Sequence, residues 1–227
     1  MHAEPTTFRD TPCIRLHSDG ATALVALHGA HVLSWLPAKG CERLFLSDRA
    51  VFDGQAAIRG GIPVVFPQFA ERGPLHKHGF ARTTPWTFHG IDDDAALFEL
   101  ADDGSRFPGW PHPFRARLRL QLTATQLSVT LEIDNTGDTP FAFTTALHTY
   151  LRVADIAHAA IADPALGRLR HDQRSARVGF GRAGFATDRT SVWVGDWRFE
   201  QDDGRYRAVV RSQEFAYDLN LVASDPP

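Results

Sequence analysis

Two neighbouring segments with strict period-two alternation constrain the fold of this chain more than any other feature. From 115 to 122, leucines alternate with arginine and glutamine, and from 127 to 133 apolar residues alternate with Ser128, Thr130 and Glu132. Such alternation is typical of β-strands that have one buried face and one wetted face. The pattern therefore predicts two half-buried strands.

Shorter segments of the same character occur elsewhere in the chain, and no segment shows a convincing long amphipathic helix. The predicted strand segments are 22–28, 31–36, 43–47, 141–150 and the two arms of a hairpin at 197–210. Many short strands with turns at regular spacing favour an all-β fold, either an antiparallel β-sandwich or a barrel. We expect residues 1–227 to form a single domain.

Composition and motif content exclude several classes of protein. A net charge of −3 over 227 residues argues against a general nucleic-acid-binding protein. No apolar stretch reaches the roughly 18 residues of a membrane span, and the N-terminal residues lack the pattern of a signal peptide. Cys13 and Cys41 are too few for a disulfide framework and lack metal-motif spacing. We therefore expect a cytoplasmic protein that binds neither nucleic acid nor a membrane.

Residues 54–86 break the strand pattern with repeated glycine and proline, and they carry many basic, imidazole and aromatic side chains. Arg59 and Arg82 could each offer a planar guanidinium group to a phosphate or carboxylate. The glycines at 60 and 61 would let backbone N–H groups approach such an anion. The segment is therefore either a binding loop for a small polar anion or a proline-rich surface loop with scattered charges.

Three further candidates remain ambiguous at this level. His76 and His78 have the His-x-His spacing that can hold zinc or iron on a sheet, but no third ligand follows at the expected spacing. His148 is either a core residue or a group that performs acid–base catalysis, since imidazole titrates close to neutral pH. Asp188, which is followed by an arginine, is either part of a site or a turn residue.

Five short motifs, taken in order, resemble one known family. They are His28-Gly-Ala-His-Val-Leu-Ser-Trp35, Ala57-Ile-Arg-Gly-Gly-Ile-Pro63, Phe66-Pro67, His78-Gly-Phe-Ala-Arg82 and Leu147-His-Thr-Tyr150. The family is the hexose-6-phosphate mutarotases, the glucose-6-phosphate 1-epimerase branch of the aldose 1-epimerase superfamily. The resemblance implies a galactose-mutarotase-like β-sandwich that interconverts the α and β anomers of a hexose 6-phosphate.

The resemblance also implies roles for individual residues. His148 would be the acid that protonates the ring oxygen, and His78 would hydrogen-bond the sugar near the reacting carbon. Arg59 and Arg82 would hold the phosphate or sugar hydroxyls, Asp188 would accept from sugar hydroxyls, and Lys77 would add charge to the phosphate site. The family uses neither a metal nor an organic cofactor, and we expect a monomer whose partner is a small sugar phosphate.

The general base is the one role that the resemblance leaves unfilled. In the family it is a Glu on a strand that follows a motif resembling Val-Val-Trp-Asn-Pro-Trp, and no such motif occurs in this sequence. Glu214 precedes the place where that motif would begin, so it receives no role. We expect the last strands of the family to be missing and activity to be weak or absent unless another carboxylate substitutes. A non-catalytic sugar-phosphate-binding module on the same scaffold is the alternative.

Overall fold

The structure, a computed structural model, describes residues 1–152 in full and the backbone of five later strands. Fifteen strands lie within these described residues. They are β1 (His2–Phe8), β2 (Thr11–Ser18), β3 (Ala21–Ala26), β4 (His31–Leu36), β5 (Val64–Val65), β6 (Thr87–Asp92), β7 (Ala95–Asp102), β8 (Phe114–Leu122), β9 (Gln126–Asn135), β10 (Ala146–Leu147), β11 (Ala160–Asp163), β12 (Gly167–Arg170), β13 (Gly195–Asp202), β14 (Arg205–Ser212) and β15 (Ala216–Val222).

The strands form two large antiparallel sheets and one short ribbon. The first sheet has the order β1-β2-β3-β4, the second has the order β12-β11-β15-β14-β13-β9-β8-β7-β6, and β5 pairs with β10. One cluster of buried side chains joins the two large sheets, with Leu16 and Val25 from the first and Phe98 and Leu118 from the second. The prediction of an all-β, antiparallel β-sandwich is confirmed, because two sheets share one apolar interior. That residues 1–227 make a single domain stays a prediction.

The two alternating segments are neighbouring strands of the second sheet. In β8, Leu118 and Leu120 are fully buried. In the register between β8 and β9, Leu118 faces Leu131 and Arg117 faces Glu132. The guanidinium of Arg117 lies 3.4 Å from the carboxylate of Glu132 on the wetted face. The alternation thus separates a core face from a solvent face, as the sequence predicted.

Two hairpins were predicted correctly, and one strand was not. β3 pairs with β4, and β13 pairs with β14 in a register that closes at Asp202 and Arg205. The predicted strand at 43–47 forms only isolated bridges. One carboxylate oxygen of Glu42 accepts the N–H groups of Arg43 and Leu44 at 2.9 Å each. Further along, the N–H of Phe45 donates to the carbonyl of Tyr150 and that of Ser47 to the carbonyl of Arg59. The segment therefore bonds to a side chain and to two separate backbone segments instead of to one neighbouring strand.

The segment 141–150 also contains less strand than predicted. Only Ala146–Leu147 pairs regularly, while Phe141 and Phe143 pack half-buried against the core without joining a ladder. Within the described residues the one helical element is a 3-10 turn at Ala81–Thr83. No helix in the part of the chain that the structure describes is long and apolar enough to cross a membrane.

Candidate active site

The ribbon of β5 and β10 lies beside a cleft, to whose lining β5 contributes Val65. Beyond β10, the main-chain N–H of His148 donates to the carbonyl of Pro63 at 3.0 Å, and that of Tyr150 donates to the carbonyl of Gly61 at 2.8 Å. These bonds hold residues 148–150 against residues 61–63. Leu147 is buried in the core, whereas His148 and Tyr150 line the cleft.

The cleft has a volume of about 180 Å³. It is lined by Ala57, Ile58, Arg59, Pro63, Val65, His78, Arg82, His148 and Tyr150. Four of the six predicted site residues therefore come together, although they are spread over 90 positions of sequence. The lining that the structure describes holds two guanidinium groups and two imidazoles but no carboxylate. Lys77 is not part of this lining, and Asp188 lies outside the described residues.

His78 is held at both its backbone and its ring by Ala70. The Ala70 N–H donates to Nδ1 of His78 at 3.1 Å, and the His78 N–H donates to the carbonyl of Ala70 at 3.0 Å. Because Nδ1 accepts a hydrogen bond, the proton of the neutral ring must lie on Nε2. The backbone of His78 is left-handed, with φ of 69°. The contacts with Ala70 stabilise this uncommon conformation and fix Nε2 as the donor nitrogen.

His148 packs between two other rings of the cleft. Its ring centroid lies 5.7 Å from that of His78 in an edge-to-face arrangement and 5.0 Å from that of Tyr150 in a stacked one. The His148 side chain is half-buried, so it is neither the fully buried core residue of one prediction nor a surface group. Both imidazoles therefore approach the same small volume, at one end of which lies the phenol.

The two arginines lie in different environments. Arg82 is half-buried and donates from Nη2 to the carbonyl of Lys77 at 2.7 Å, while its Nε has no hydrogen-bond partner among the described residues. Burial lowers the pKa of Arg82. Arg59 is exposed. A half-buried guanidinium that lines a cleft is suited to an anionic ligand, because a charge-assisted bond would offset its lost hydration.

The side chain of Lys77 pairs with a carboxylate and does not line the cleft. Its ammonium lies 3.6 Å from the carboxylate of Glu71, and both side chains are largely exposed. What Lys77 contributes to the cleft is its main-chain carbonyl, which holds Arg82. The predicted role of its charge at a phosphate site stays a prediction.

Two glycines of the motifs are required by close backbone contacts. Gly61 has φ of 60°, and a Cβ there would collide with the carbonyl oxygen of Val32. Gly79 has φ of 67°, and a Cβ there would collide with the carbonyl oxygen of Phe66. Both glycines therefore allow the backbone to pass closer to β4 or to Phe66 than any residue with a side chain could, each within two residues of a residue that lines the cleft.

The sequence did not assign two residues that shape the cleft. Tyr150 lies in the lining, and its position two residues after His148 in an extended segment was a usable signal. Gln68 is buried, and its side chain bridges the loop that leads to His78. It donates to the carbonyl of Ala70 at 3.1 Å and accepts the N–H of Leu75 at 2.9 Å. The role of Gln68 in holding this loop is visible only in the folded structure.

Within the part of the chain that the structure describes, His76 and His78 have no third metal ligand beside them. His76 is exposed, and Nδ1 of His78 already accepts the N–H of Ala70. Among the described residues, the one group of three possible ligands within 4.8 Å of one another lies elsewhere and includes neither histidine.

His31 is a fully buried imidazole directly behind the cleft wall. Its Nε2 lies 2.6 Å from the carbonyl of Gly60, and since a carbonyl can only accept, Nε2 carries the proton. Burial lowers the pKa of His31 to about 4, an effect that the bond to Gly60 partly opposes. The folded protein therefore keeps this ring neutral at pH values where an unfolded chain would protonate it.

This burial predicts an acid-sensitive contribution to stability. Between pH 6.5 and 4 the unfolded chain binds a proton at His31 that the folded protein does not, so lowering the pH through this window favours unfolding. The free energy of unfolding should fall by up to about 3 kcal/mol from this group alone. His31→Gln should lose that part of the pH dependence in urea titrations at pH 7, 5.5 and 4.5. Equal slopes for both proteins would contradict the prediction.

Comparison with solved structures identifies the class of fold. A protein from Salmonella typhimurium described as a "putative mutarotase" superposes with a TM-score of 0.65 at 24% identity, covering 99% of this chain and 88% of that one. A galactose mutarotase-like protein from Lactobacillus casei superposes with a TM-score of 0.59 at 16% identity, covering 94% and 90%. The chain thus has the galactose-mutarotase-like β-sandwich that the sequence predicted.

Comparison of sequences then gives the family. Residues 12–191 match the aldose 1-epimerase family, and the chain belongs to it. A curated relative from Escherichia coli K12, named "Putative glucose-6-phosphate 1-epimerase", is 42% identical over 146 residues, which is 61% of this chain and 48% of the relative. The chain spans about half the length of the curated relatives it matches.

Proposed function

We propose that this protein interconverts the α and β anomers of a hexose 6-phosphate by acid–base ring opening. The observation that carries the proposal is the cleft, in which His78 and His148 meet edge to face beside Arg59 and Arg82. Family membership and the name of the Escherichia coli relative support the same reaction. The site requires no metal or organic cofactor for this chemistry, since each step is a proton transfer or a bond rotation.

The reaction divides into opening, rotation and closure. A base takes the proton of the anomeric hydroxyl, the oxygen lone pair forms the C1 carbonyl, and the bond from C1 to the ring oxygen breaks. His148 donates a proton to the departing ring oxygen, which becomes a hydroxyl. Rotation about the C1–C2 bond presents the other carbonyl face, and the same steps in reverse close the ring. His78, with its proton on Nε2, would donate to a sugar oxygen near C1.

The proposed substrate class rests on the charge of the lining. The described lining residues include two arginines and no carboxylate, so the cleft favours an anion over a neutral sugar. Arg82 lines the cleft as a half-buried guanidinium, and Arg59 lies exposed at the same cleft. A phosphate dianion accepts from several donors at once and would satisfy both guanidinium groups.

The same lining leaves the base unassigned. No carboxylate occurs among the described lining residues, and Glu214 and Asp188 lie outside the described part of the chain. This favours a second candidate function, which is sugar-phosphate binding without catalysis. A positioned general base contributes about 10²–10⁴-fold to a rate, so its absence would leave activity weak.

One pair of measurements tests the proposal against the alternative. Calorimetry gives the affinity for glucose 6-phosphate, and exchange NMR or polarimetry gives the rate of its anomerisation at the same protein concentration. Binding together with acceleration above the spontaneous rate supports the mutarotase, whereas binding without acceleration selects the binding module. A protein that does neither contradicts both functions.

Arg82→Gln should weaken the binding of glucose 6-phosphate by about 10–100-fold, the cost of a lost charge-assisted bond. Binding of glucose, which lacks the phosphate, should change far less. Arg106→Gln is the matched control, because Arg106 lies against the ring of Phe107 and outside the cleft lining. Calorimetry with both sugars checks the result, and equal losses for the two sugars would show that Arg82 does not contact the phosphate.

A further inference from the structure

His28 and His31 flank the turn between β3 and β4, and neither belongs to the cleft lining. Both side chains are buried, His31 completely and His28 to all but 6%. Buried imidazoles require hydrogen-bonding partners, because an unsatisfied polar group in the interior costs free energy. The partners of these two rings show what they do.

Both rings donate to the segment that carries Arg59. Nε2 of His28 lies 3.0 Å from the carbonyl of Ala56, and Nε2 of His31 lies 2.6 Å from the carbonyl of Gly60. The two bonds therefore anchor the chain immediately before and immediately after residues 57–59, which form one wall of the cleft. In each ring the proton is on Nε2, since a carbonyl can only accept.

Other contacts hold the same wall through its backbone. A carboxylate oxygen of Asp53 accepts the N–H groups of Gln55 and Ala56 at 2.8 and 2.7 Å. The N–H of Ser47 donates to the carbonyl of Arg59 at 3.1 Å. The Arg59 side chain itself is exposed, so the direction in which it leaves the wall is set by its backbone rather than by packing around its guanidinium group.

We propose that His28 and His31 are positioning residues, which act through two main-chain carbonyls to aim Arg59 into the cleft. This inference rests on the proposed function, in which Arg59 contacts the phosphate or hydroxyls of the substrate. If either imidazole is replaced by a side chain that cannot donate, the carbonyl of Ala56 or Gly60 is left without its donor. The wall formed by residues 57–59 then shifts until that carbonyl meets another donor. Substrate affinity falls because Arg59 moves with the wall.

The test compares a variant that keeps the donor with one that removes it. His31→Gln and His28→Gln retain a side-chain N–H, whereas His31→Leu and His28→Leu do not. Calorimetry with glucose 6-phosphate should show about tenfold weaker binding for each Leu variant and recovery to within about threefold for each Gln variant. The folded state of every variant is checked by its thermal midpoint.

The same substitution made in the Arg59→Ala variant separates a positioning role from a general structural role. In Arg59→Ala the further change His31→Leu should cost no additional affinity, because the group that it aims is already absent. Additive losses, or Leu variants that bind like the wild type, would overturn the positioning role while leaving the proposed function intact. A wild-type protein that does not bind glucose 6-phosphate would overturn the proposed function, and this inference with it.

A different observation supports a second, independent site on the first sheet. The register of β1 and β2 places His2 opposite His17, and their rings stack at 4.6 Å. Glu4 lies on the same face, with a carboxylate oxygen 3.2 Å from Nε2 of His17. One ligand atom from each of His2, Glu4 and His17 lies within 4.8 Å of the others. None of the three lines the cleft.

We infer that this trio, which we call the β1–β2 triad, binds a divalent cation with a preference for imidazole ligands, such as Zn²⁺. Two imidazoles and one carboxylate match the nitrogen and oxygen ligands that zinc accepts, and exposure leaves room for a bound water as the fourth ligand. Arg15, whose Nε lies 3.9 Å from the Glu4 carboxylate, is the cation that the metal would replace.

Calorimetry with ZnCl₂ on the full chain tests this site. One ion should bind per chain, and His2→Gln or His17→Gln should weaken binding by about tenfold or more. His89→Gln is the matched control, because His89 also lies beside a carboxylate, 3.7 Å from Glu99, but is not one of the residues of the triad. Absence of binding in the wild type, or equal affinities in all four proteins, would overturn the site.

Discussion

Under the proposed mutarotase function, replacing His148 with alanine should lower the acceleration of glucose 6-phosphate anomerisation by about 10²–10⁴-fold, or to the spontaneous rate where that is reached first. This is the usual contribution of a positioned general acid, which the ring oxygen needs as its bond to C1 breaks. The His148 imidazole lies half-buried in the cleft, 5.7 Å from His78 between ring centroids, with its main chain held by Pro63. The substitution removes the proposed proton donor without removing that main-chain bond.

Binding should separate this catalytic loss from a loss of structure. The affinity for glucose 6-phosphate in calorimetry should change only a few-fold in His148→Ala, because the guanidinium groups of Arg59 and Arg82 remain. His112→Ala is the matched control, since His112 is another half-buried imidazole and packs on Trp110 outside the cleft lining. An unchanged exchange rate in His148→Ala would show that a different group protonates the ring oxygen.

The sequence predicted the fold where alternation and burial coincide. β8 and β9 follow their pattern because their apolar side chains lie on the face that packs into the core. Leu118 and Leu131, which are cross-strand neighbours, both belong to the buried cluster. β1 was not predicted, because its residues are mostly exposed and its strand is defined by pairing with β2 rather than by an apolar face. The predicted strand at 43–47 was wrong for a different reason, since its apolar residues are present but its backbone bonds are divided between the Glu42 side chain and two separate segments.

The sequence motifs predicted residues of the cleft, which composition alone could not do. The motifs predict Arg59, His78, Arg82 and His148 as site residues, and all four line one cleft. What the sequence could not show is how the loop between Pro67 and His78 turns. The left-handed backbone of His78 and the pairing of Lys77 with Glu71 depend on a folded loop, and no short-range pattern encodes either.

The histidines illustrate the same limit. The chain has 11 of them, and residue type alone does not separate a cleft imidazole from a buried one. His148 lines the cleft, His31 is fully buried behind it, and His2 and His17 stack on the first sheet. Their different surroundings come from segments that are distant in sequence, as Gly60 is from His31 and Glu4 is from His17.

Replacing Phe66 with alanine should lower the free energy of unfolding by about 3–5 kcal/mol, the range for removing a fully buried aromatic ring. Phe66 has no exposed surface, and the rings of Phe80, Trp110, Phe114 and Phe143 surround it at centroid distances of 5.2–6.1 Å. Urea denaturation measures the loss.

Phe45→Ala is the matched control for this substitution, because it deletes the same ring from a side chain that is 44% exposed, and its cost should stay below about 1 kcal/mol.

The Phe66 carbonyl also accepts the N–H groups of Phe80 and Ala81, next to His78 and Arg82. Loss of the ring should therefore loosen the cleft as well as the core, and affinity for glucose 6-phosphate should fall in Phe66→Ala but not in Phe45→Ala. Similar stability losses in the two variants would mean that Phe66 is not at the centre of the core.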